Sequence, residues 1–340
     1  GQGGISPVTA HLSFEGPIIK DKSSVVMSWR SSYSDWILER MKDNDIKNSS
    51  AFFYDASLGI NTEINSKNVL KFFAYNSYDQ FSLASKNDYE YSNTGVSLNL
   101  KHVINSFLNS DLALVFSRYQ FQNIDKNTIN EEYKQSYSIE QYDVRYDFTL
   151  NTSSNHSIEF GGSSSLYNVD RGVITPFGAE STRKPVFFGK ESGLEEALYI
   201  SDEFKLLPKL SLLAGFRYTL FTFFGPEDVN IYYEDGPLDI NNVKEVKSYK
   251  KGEIVKLYHG PEYRAALNLT TGTNSSVKAS YNRLRQYIFM LSNTIAISPI
   301  DQWKLTDYHI SPPVCDQVSL GYYSDLYENS IQLSTEIYRK

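Results

Sequence analysis

The sequence predicts an all-β chain forming the wall of a transmembrane antiparallel up-and-down β-barrel. Three observations carry this expectation. Hydrophobic periodicity is close to two residues almost everywhere, the pattern of strands with one apolar and one polar face. Several alternating segments reach the length of about ten residues that a tilted strand needs to cross an apolar band about 25 Å tall. Short and long connections alternate along the chain, as in outer-membrane barrels with short turns at one rim and long loops at the other. Mean hydropathy is −0.40, and no stretch approaches the roughly 18 consecutive apolar residues of a spanning helix. A barrel with a polar inner face dilutes its own hydropathy in this way.

About fourteen strands are expected, over 5–15, 23–34, 51–63, 67–77, 89–101, 111–122, 135–149, 156–168, 195–206, 209–221, 254–270, 275–287, 315–323 and 330–338. The seventh alternates most clearly, with Tyr142, Val144, Tyr146, Phe148 and Leu150 opposed by Gln141, Asp143, Arg145, Asp147 and Thr149. The tenth sets Leu210, Leu212, Ala214, Phe216, Tyr218 and Leu220 against Lys209, Ser211, Leu213, Gly215, Arg217 and Thr219. The eleventh sets Tyr263, Ala265, Leu267 and Leu269 against Glu262, Arg264, Ala266 and Asn268, and the last sets Ile331, Leu333, Thr335 and Ile337 against Gln332, Ser334, Glu336 and Tyr338.

Short turns fall at Gly16–Lys22, Asn65–Ser66, Asn105–Ser110, Asn151–Asn155, Leu207–Pro208, Thr271–Asn274 and Ser324–Asn329. Long, Asn-, Asp-, Lys-, Tyr- and Pro-rich connections are expected at Ile37–Ser50, Gln80–Asp88, Asn123–Lys134, Val169–Leu194, Thr222–Gly252 and Ser292–Val314. With the short turns periplasmic, both ends of the chain lie on the extracellular side, which makes the chain a segment of a larger barrel. Two other architectures are weighed: a complete fourteen-stranded passive channel, opposed by that placing of the ends, and a soluble secreted β-repeat or adhesin, opposed by strand length and loop parity.

Composition removes other classes. The chain has 340 residues, with 26 Tyr, 20 Phe and the single Cys315, which leaves no intrachain disulfide framework and no Cys-rich metal site. A formal charge of −7 gives no electrostatic case for nucleic acid. His11, His102, His156, His259 and His309 are scattered, no two at metal-ligand spacing. No Gly-rich phosphate loop opens a helix, and Cys315, beside Pro312 and Pro313, reads as a buried, inert thiol. No catalytic residue, metal or cofactor is expected, and no enzymatic activity.

Phrases spread along the chain resemble TonB-dependent outer-membrane receptors, of the branch abundant in Bacteroidetes that includes SusC-like transporters. They are Leu12-Ser-Phe-Glu-Gly-Pro-Ile18 followed by Lys20-Asp-Lys-Ser-Ser24, Ala197-Leu-Tyr-Ile-Ser-Asp-Glu-Phe204, Leu212-Leu-Ala-Gly-Phe-Arg-Tyr218, Ser280-Tyr-Asn-Arg-Leu-Arg-Gln-Tyr-Ile288 with Leu291-Ser-Asn-Thr294, and Gln317-Val-Ser-Leu-Gly-Tyr322. The resemblance implies a barrel of 22 strands filled by a plug domain. At about 24 residues per strand such a barrel needs roughly 530 residues, so this chain is expected to supply about 14 of the 22 strands, without the plug and the C-terminal strands. It further implies uptake of a nutrient (siderophore, glycan or peptide) energised through TonB, without covalent chemistry. The implied partners are the plug, the TonB complex, outer-membrane lipid and a SusD-like surface lipoprotein.

Strand parity turns Asp143, Arg145, Asp147, Arg217, Glu262, Arg264, Lys278 and Asn282 inward, toward the lumen and plug. Substrate contacts are expected in the long loops, at Arg171, Arg183 and Lys184, at Tyr232, Tyr233 and Asp235, and at Trp303, Asp307 and Tyr308. Aromatic faces with carboxylates suit sugars and basic clusters suit anionic chelates, and both are present. Alternation puts Arg283 and Arg285 on the lipid side at the outer rim, where lipopolysaccharide phosphates, an acidic group on a neighbouring strand, or an inward turn after a bulge could satisfy them. Interstrand pairing ranks above lipid.

Overall fold

The computed structural model describes residues 1–84, 86–153, 155–291, 302–327 and 330–340. The expected Ser292–Val314 loop, the Leu291–Thr294 phrase and the Ser324–Asn329 turn therefore fall partly outside the described residues, at 292–301 and 328–329. The strands are β1 (Gln2–Ile5), β2 (Thr9–Ile19), β3 (Ser23–Ser32), β4 (Ser50–Asn65), β5 (Asn68–Leu83), β6 (Asn87–Val103), β7 (Leu108–Asp125), β8 (Tyr133–Ser153), β9 (His156–Pro176) and β10 (Val186–Phe187). They continue as β11 (Lys190–Leu207), β12 (Leu210–Phe224), β13 (Glu227–Tyr232), β14 (Val243–Tyr249), β15 (Ile254–Thr270), β16 (Ser275–Arg285), β17 (Ile288–Leu291), β18 (Gln302–Leu305), β19 (Val314–Leu326) and β20 (Ile331–Arg339). Two single-turn helices, Asp35–Leu38 and Asn44–Lys47, sit between β3 and β4.

Among the described residues, one antiparallel sheet of sixteen strands makes the wall. Its order follows the chain, β1 to β9, then β11, β12, β15, β16, β19 and β20, with β10 added to β9. It is a partial barrel, and β1 and β20 are its edges. The hairpins β13–β14 and β17–β18 form two small separate sheets. Nearest-neighbour pairing satisfies the backbone, the requirement that restricts membrane-spanning sheets to barrels.

Register sorts the side chains. Phe14, Met27, Leu58, Ala74, Val96, Phe116, Tyr142, Leu166 and Leu194 are successive direct partners across β2 to β9 and β11, and form one row of the outer, apolar face. On the opposite face Lys101, Asp111, Asp147, Gly161, Tyr199, Arg217 and Glu262 form an equally continuous row from β6 to β15. On this face Leu198 is 73% and Phe14 51% exposed, and Met27, Val96 and Tyr142 are exposed as well, which in water would be an aggregation surface and in a bilayer is a lipid contact.

The structure corrects three boundaries. The first expected strand, 5–15, is two strands, because Ser6, Pro7 and Val8 turn the chain between Ile5 and Thr9. The long connections expected at Gln80–Asp88 and Asn123–Lys134 are largely strand: β5 and β6 are separated only by 84–86, and β7 and β8 by 126–132. Above the apolar band the outer face turns polar while rings such as Phe81 and Tyr89 lie on the inner face, so the oily-out alternation disappears from the sequence while ladder pairing continues. Strict short and long parity fails there for the same reason.

The register yields a paired test in β6. Leu98→Arg, on the outer face, should lower stability by about 2–4 kcal/mol. Ser97→Arg, one residue away on the inner face, should change it by about 0.5 kcal/mol or less. Urea unfolding in lipid vesicles measures both.

Candidate functional site

The inner face carries a charged band at mid-wall. Arg145 Nε lies 2.8 Å from Asp147 Oδ2, and the Tyr199 hydroxyl also donates to Asp147. Tyr199 reaches it across Gly161, where a Cβ would stand 2.4 Å from the Tyr146 carbonyl oxygen. Arg217 lies 3.3 Å from Glu195 and 3.6 Å from Glu262, with its guanidinium 5.4 Å from the centre of the Tyr199 ring. Glu262 accepts the Arg285 backbone N–H at 2.9 Å. Asp111, Arg145, Asp147, Arg217, Glu262 and Arg264 all border one open cavity of about 490 Å³. Arg264 is exposed and has no ion-pair partner among the described residues.

The remaining inward candidates lie beside this band. Asp143 accepts from Gln141 at 2.8 Å, Asn282 stands opposite Arg264 and Gln317, and Lys278 lies 4.8 Å from the Tyr323 ring centre. Cys315, expected to be buried, is partly exposed; its register partner is Leu284, on the inner face, which borders the open lumen rather than a packed core.

At the mouth, the rim with the long connections, residues 286–291 and 302–310 pack against the inner face. Tyr287 stacks on Phe221 with ring centres 4.7 Å apart, and its hydroxyl shares a 2.7 Å hydrogen bond with Thr219. Tyr287, Leu305, Phe221, Phe223 and Val169 close into an apolar core. Within it, Lys304 Nζ lies 2.6 Å from buried Glu191 and 2.7 Å from Asp307. The Leu305 N–H donates to the other Glu191 oxygen at 2.8 Å, and Arg171 approaches Glu191 at 3.5 Å.

Arg171 keeps the inward parity of Val169, and a bulge in β9 begins at it. Ser136 and Ser138 pair with Val173 and Asp170, so two residues, Arg171 and Gly172, oppose one, Tyr137. Gly172 takes φ +99°, and a Cβ there would stand 2.0 Å from the Ser136 oxygen.

The loop candidates divide accordingly. Tyr232, Asp307 and Tyr308 converge with His309 around a pocket of about 190 Å³, while Arg171 and Asp307 already serve as anchors. Asp307 is held below the usual carboxylate range: burial raises it, but the hydrogen bond and charge of Lys304 and the N–H groups of Ile310 and His309 prevail. Arg183 lies 4.1 Å from the Tyr133 ring centre. Trp303 pairs with Met290 in the inner hairpin. Lys184, Tyr233 and Asp235 are exposed and do not join the pocket.

At the outer rim Arg283 makes two 2.8 Å bonds to Asp316 on β19, and Tyr281 donates to the same carboxylate at 2.7 Å. Arg285 turns inward instead, its guanidinium against Gly260. Pairing of β15 with β16 ends at Arg264 and Asn282, while β16 stays paired with β19 as far as Arg285 and Val314.

An aromatic ladder on the inner face of β5 to β8 escaped the sequence reading. Phe81 and Tyr89 stack at 4.6 Å, Tyr91 lies 5.2 Å from Phe121, and Phe121 lies 5.0 Å from Tyr137. Parity carried up β7 from Ala113 and up β8 from Asp143 reaches Phe121 and Tyr137 within the expected strands, and only Phe81 fell in an expected loop.

No family model matches the sequence, and a search of curated proteins finds no match. Solved structures do match. The closed form of the ferric-catecholate import receptor Fiu from E. coli K12 has a TM-score of 0.62 at 11% identity, over 97% of this chain and 55% of that one. The copper transporter OprC has a TM-score of 0.67 at 8% identity, over 97% and 50%. BauA, the ferric preacinetobactin receptor from Acinetobacter baumannii, has a TM-score of 0.65 at 12% identity, over 97% and 51%. The chain thus spans about half the length of these structures. At such identities the likeness is one of fold: the chain has the wall fold of the TonB-dependent outer-membrane receptor barrels.

The mouth anchor can be tested directly. Lys304→Met leaves buried Glu191 with only the more distant Arg171 as a cation, a loss of at most about 3–5 kcal/mol for a broken buried pair. Hydrogen exchange should then accelerate in 286–291 and 302–310, with β6 to β8 unchanged. Because the folded pKa of Asp307 is depressed, its stabilisation is present above the unfolded value near 3.9 and is lost as pH falls through the lower folded value. Protection of 302–310 in the parent protein should therefore persist through mildly acidic pH and decline only below about pH 4.

Proposed function

We propose that this chain is part of the wall of a TonB-dependent outer-membrane receptor that takes up a scarce nutrient. The observation that carries the reading is the charged inner band from Asp111 to Glu262, set back to back with an exposed apolar outer face. A passive soluble scaffold has no use for both. On this reading further strands complete the barrel between the edges β1 and β20. A plug lies against Asp143, Arg145, Asp147, Arg217, Glu262, Arg264, Lys278 and Asn282, and Arg264 offers a cation to a carboxylate on it.

Capture occurs at the mouth, where Tyr232, Tyr308 and His309 present ring faces beside Asp307 and where the aromatic ladder lines the facing wall. Contact with the inner band follows when the plug is displaced through TonB and the inner-membrane proton gradient. The ligands named for Fiu, OprC and BauA favour a metal or metal chelate among the substrate classes. Glycan or peptide uptake is the second reading, favoured by the abundance of aromatic rings with carboxylates. Assignment to the SusC-like branch, with a surface lipoprotein as partner, rests on the sequence phrases alone.

The test uses the full-length parent protein in its own host. Deleting the gene should abolish growth on one limiting nutrient among a chelated-iron, glycan and peptide panel, and loss of TonB should have the same effect. Tyr232→Ala with Tyr308→Ala should weaken binding of that nutrient at least tenfold, a loss of about 1.4 kcal/mol or more. Unchanged uptake in both the gene deletion and the TonB deletion would sink the proposal.

A further inference from the structure

The pocket beside β13 has a definite size and a definite charge. At about 190 Å³ it lies below the range of sites that enclose a whole ligand, so it suits one end group of a larger molecule. Buried Phe223 and Val229 give it an apolar side, and Tyr232 and Tyr308 add rings.

Three carboxylates border this pocket, and among the described residues no lysine or arginine does. One carboxylate is already spent. Asp307 receives Lys304 at 2.7 Å through one oxygen, and the N–H groups of His309 and Ile310 at 2.8 Å through the other. Glu227 and Asp228 have no ion-pair partner among the described residues. Burial pushes the Glu227 carboxyl above the usual range, with Glu191 and Asp307 acting in the same sense, and the opposing pull of Lys304 and Arg171 does not prevail. The pocket is therefore short of positive charge.

The rings beside it accept ammonium groups. Lys256 Nζ lies 4.9 Å from the Tyr308 ring centre, and Lys247 Nζ lies 4.8 Å from that of Tyr249 in the same hairpin. A bare metal ion fits less well, because the described residues bring no three His, Cys, Asp or Glu side chains together as ligands. An anionic group would meet two uncompensated carboxylates. We propose that this pocket takes the protonated primary amine at one end of the captured molecule, with Glu227 and Asp228 as its counter-charges and Tyr232 and Tyr308 as its aromatic walls. An ammonium has three donors and no acceptor, which matches a lining of carboxylates and rings. The inference rests on capture at the mouth and narrows the substrate to one that carries such an amine, whether a peptide or a metal chelate.

The test is isothermal titration calorimetry of the full-length protein in detergent with two matched pairs, which separate the two sources of the amine. One pair is ferrioxamine B, a ferric hydroxamate ending in an ammonium group, and its neutral N-acetyl form; the other is trialanine amide and its N-acetyl form. In one pair the free amine should bind about tenfold or more tighter than the acetylated partner. Glu227→Gln with Asp228→Asn should remove that preference by weakening the free amine alone. Glu234→Gln, in the hairpin tip outside the pocket, should leave the preference intact. Equal binding within both pairs, binding of neither free amine, or a preference that survives the double acid variant overturns the proposal. The capture reading is judged apart. If Tyr232→Ala with Tyr308→Ala weakens both members of a pair that bind alike, capture at the mouth stands and the amine preference falls.

Discussion

Continuous hydrogen bonding between neighbouring strands is the constraint on which the rest of this structure depends. In hydrocarbon each unpaired backbone N–H or C=O costs several kcal/mol, so the chain must pair strand by strand across its whole width. Once the ladders are fixed, a two-residue period assigns every side chain to one of two solvents. The wall has no interior of its own between layers. Its apolar residues are stabilised by lipid, and its polar residues by the lumen and by each other.

That division explains why ionic contacts concentrate on one side of the sheet. Facing the lumen, Arg217 can be shared between Glu195 and Glu262 and still lie near Tyr199, because water and neighbouring dipoles limit the desolvation of each group. Facing outward, Arg283 is compatible with the rim only because Asp316 takes both of its bonds. The one packed apolar core described lies at the mouth, where the β17–β18 hairpin brings a second layer against the inner face and supplies what a single sheet lacks.

The wall was legible where one face is oily. Tyr142 to Leu150, Leu210 to Leu220 and Tyr263 to Leu269 show their parity in the sequence, and the inward placing of Asp147, Arg217 and Glu262 follows from it. The pairing of Arg283 was also within reach, since it follows from a charge on the lipid face. Illegible were features made by partners distant in sequence or by local breaks in parity. Arg285 turns in because β16 leaves β15, and Asp307 anchors a hairpin rather than awaiting a ligand because its partner Lys304 is itself held by Glu191, more than a hundred residues away in the chain. Above the band, a polar outer face erased the oily-out signal at 80–88 and 123–134.

The contact between Lys304 and Glu191 joins residues 113 apart, whereas each rung of the wall joins successive wall strands. It passes over β12 and β15 to tie β11 to the connection leaving β16, and so closes a far larger loop than any hairpin does. Such a contact gains nothing until the intervening strands are in register, so it belongs late in folding. During assembly the mouth is therefore open and β11 to β16 are held only by their ladders. The finished entrance thus records, in one buried ion pair, that four successive strands have docked in the right order.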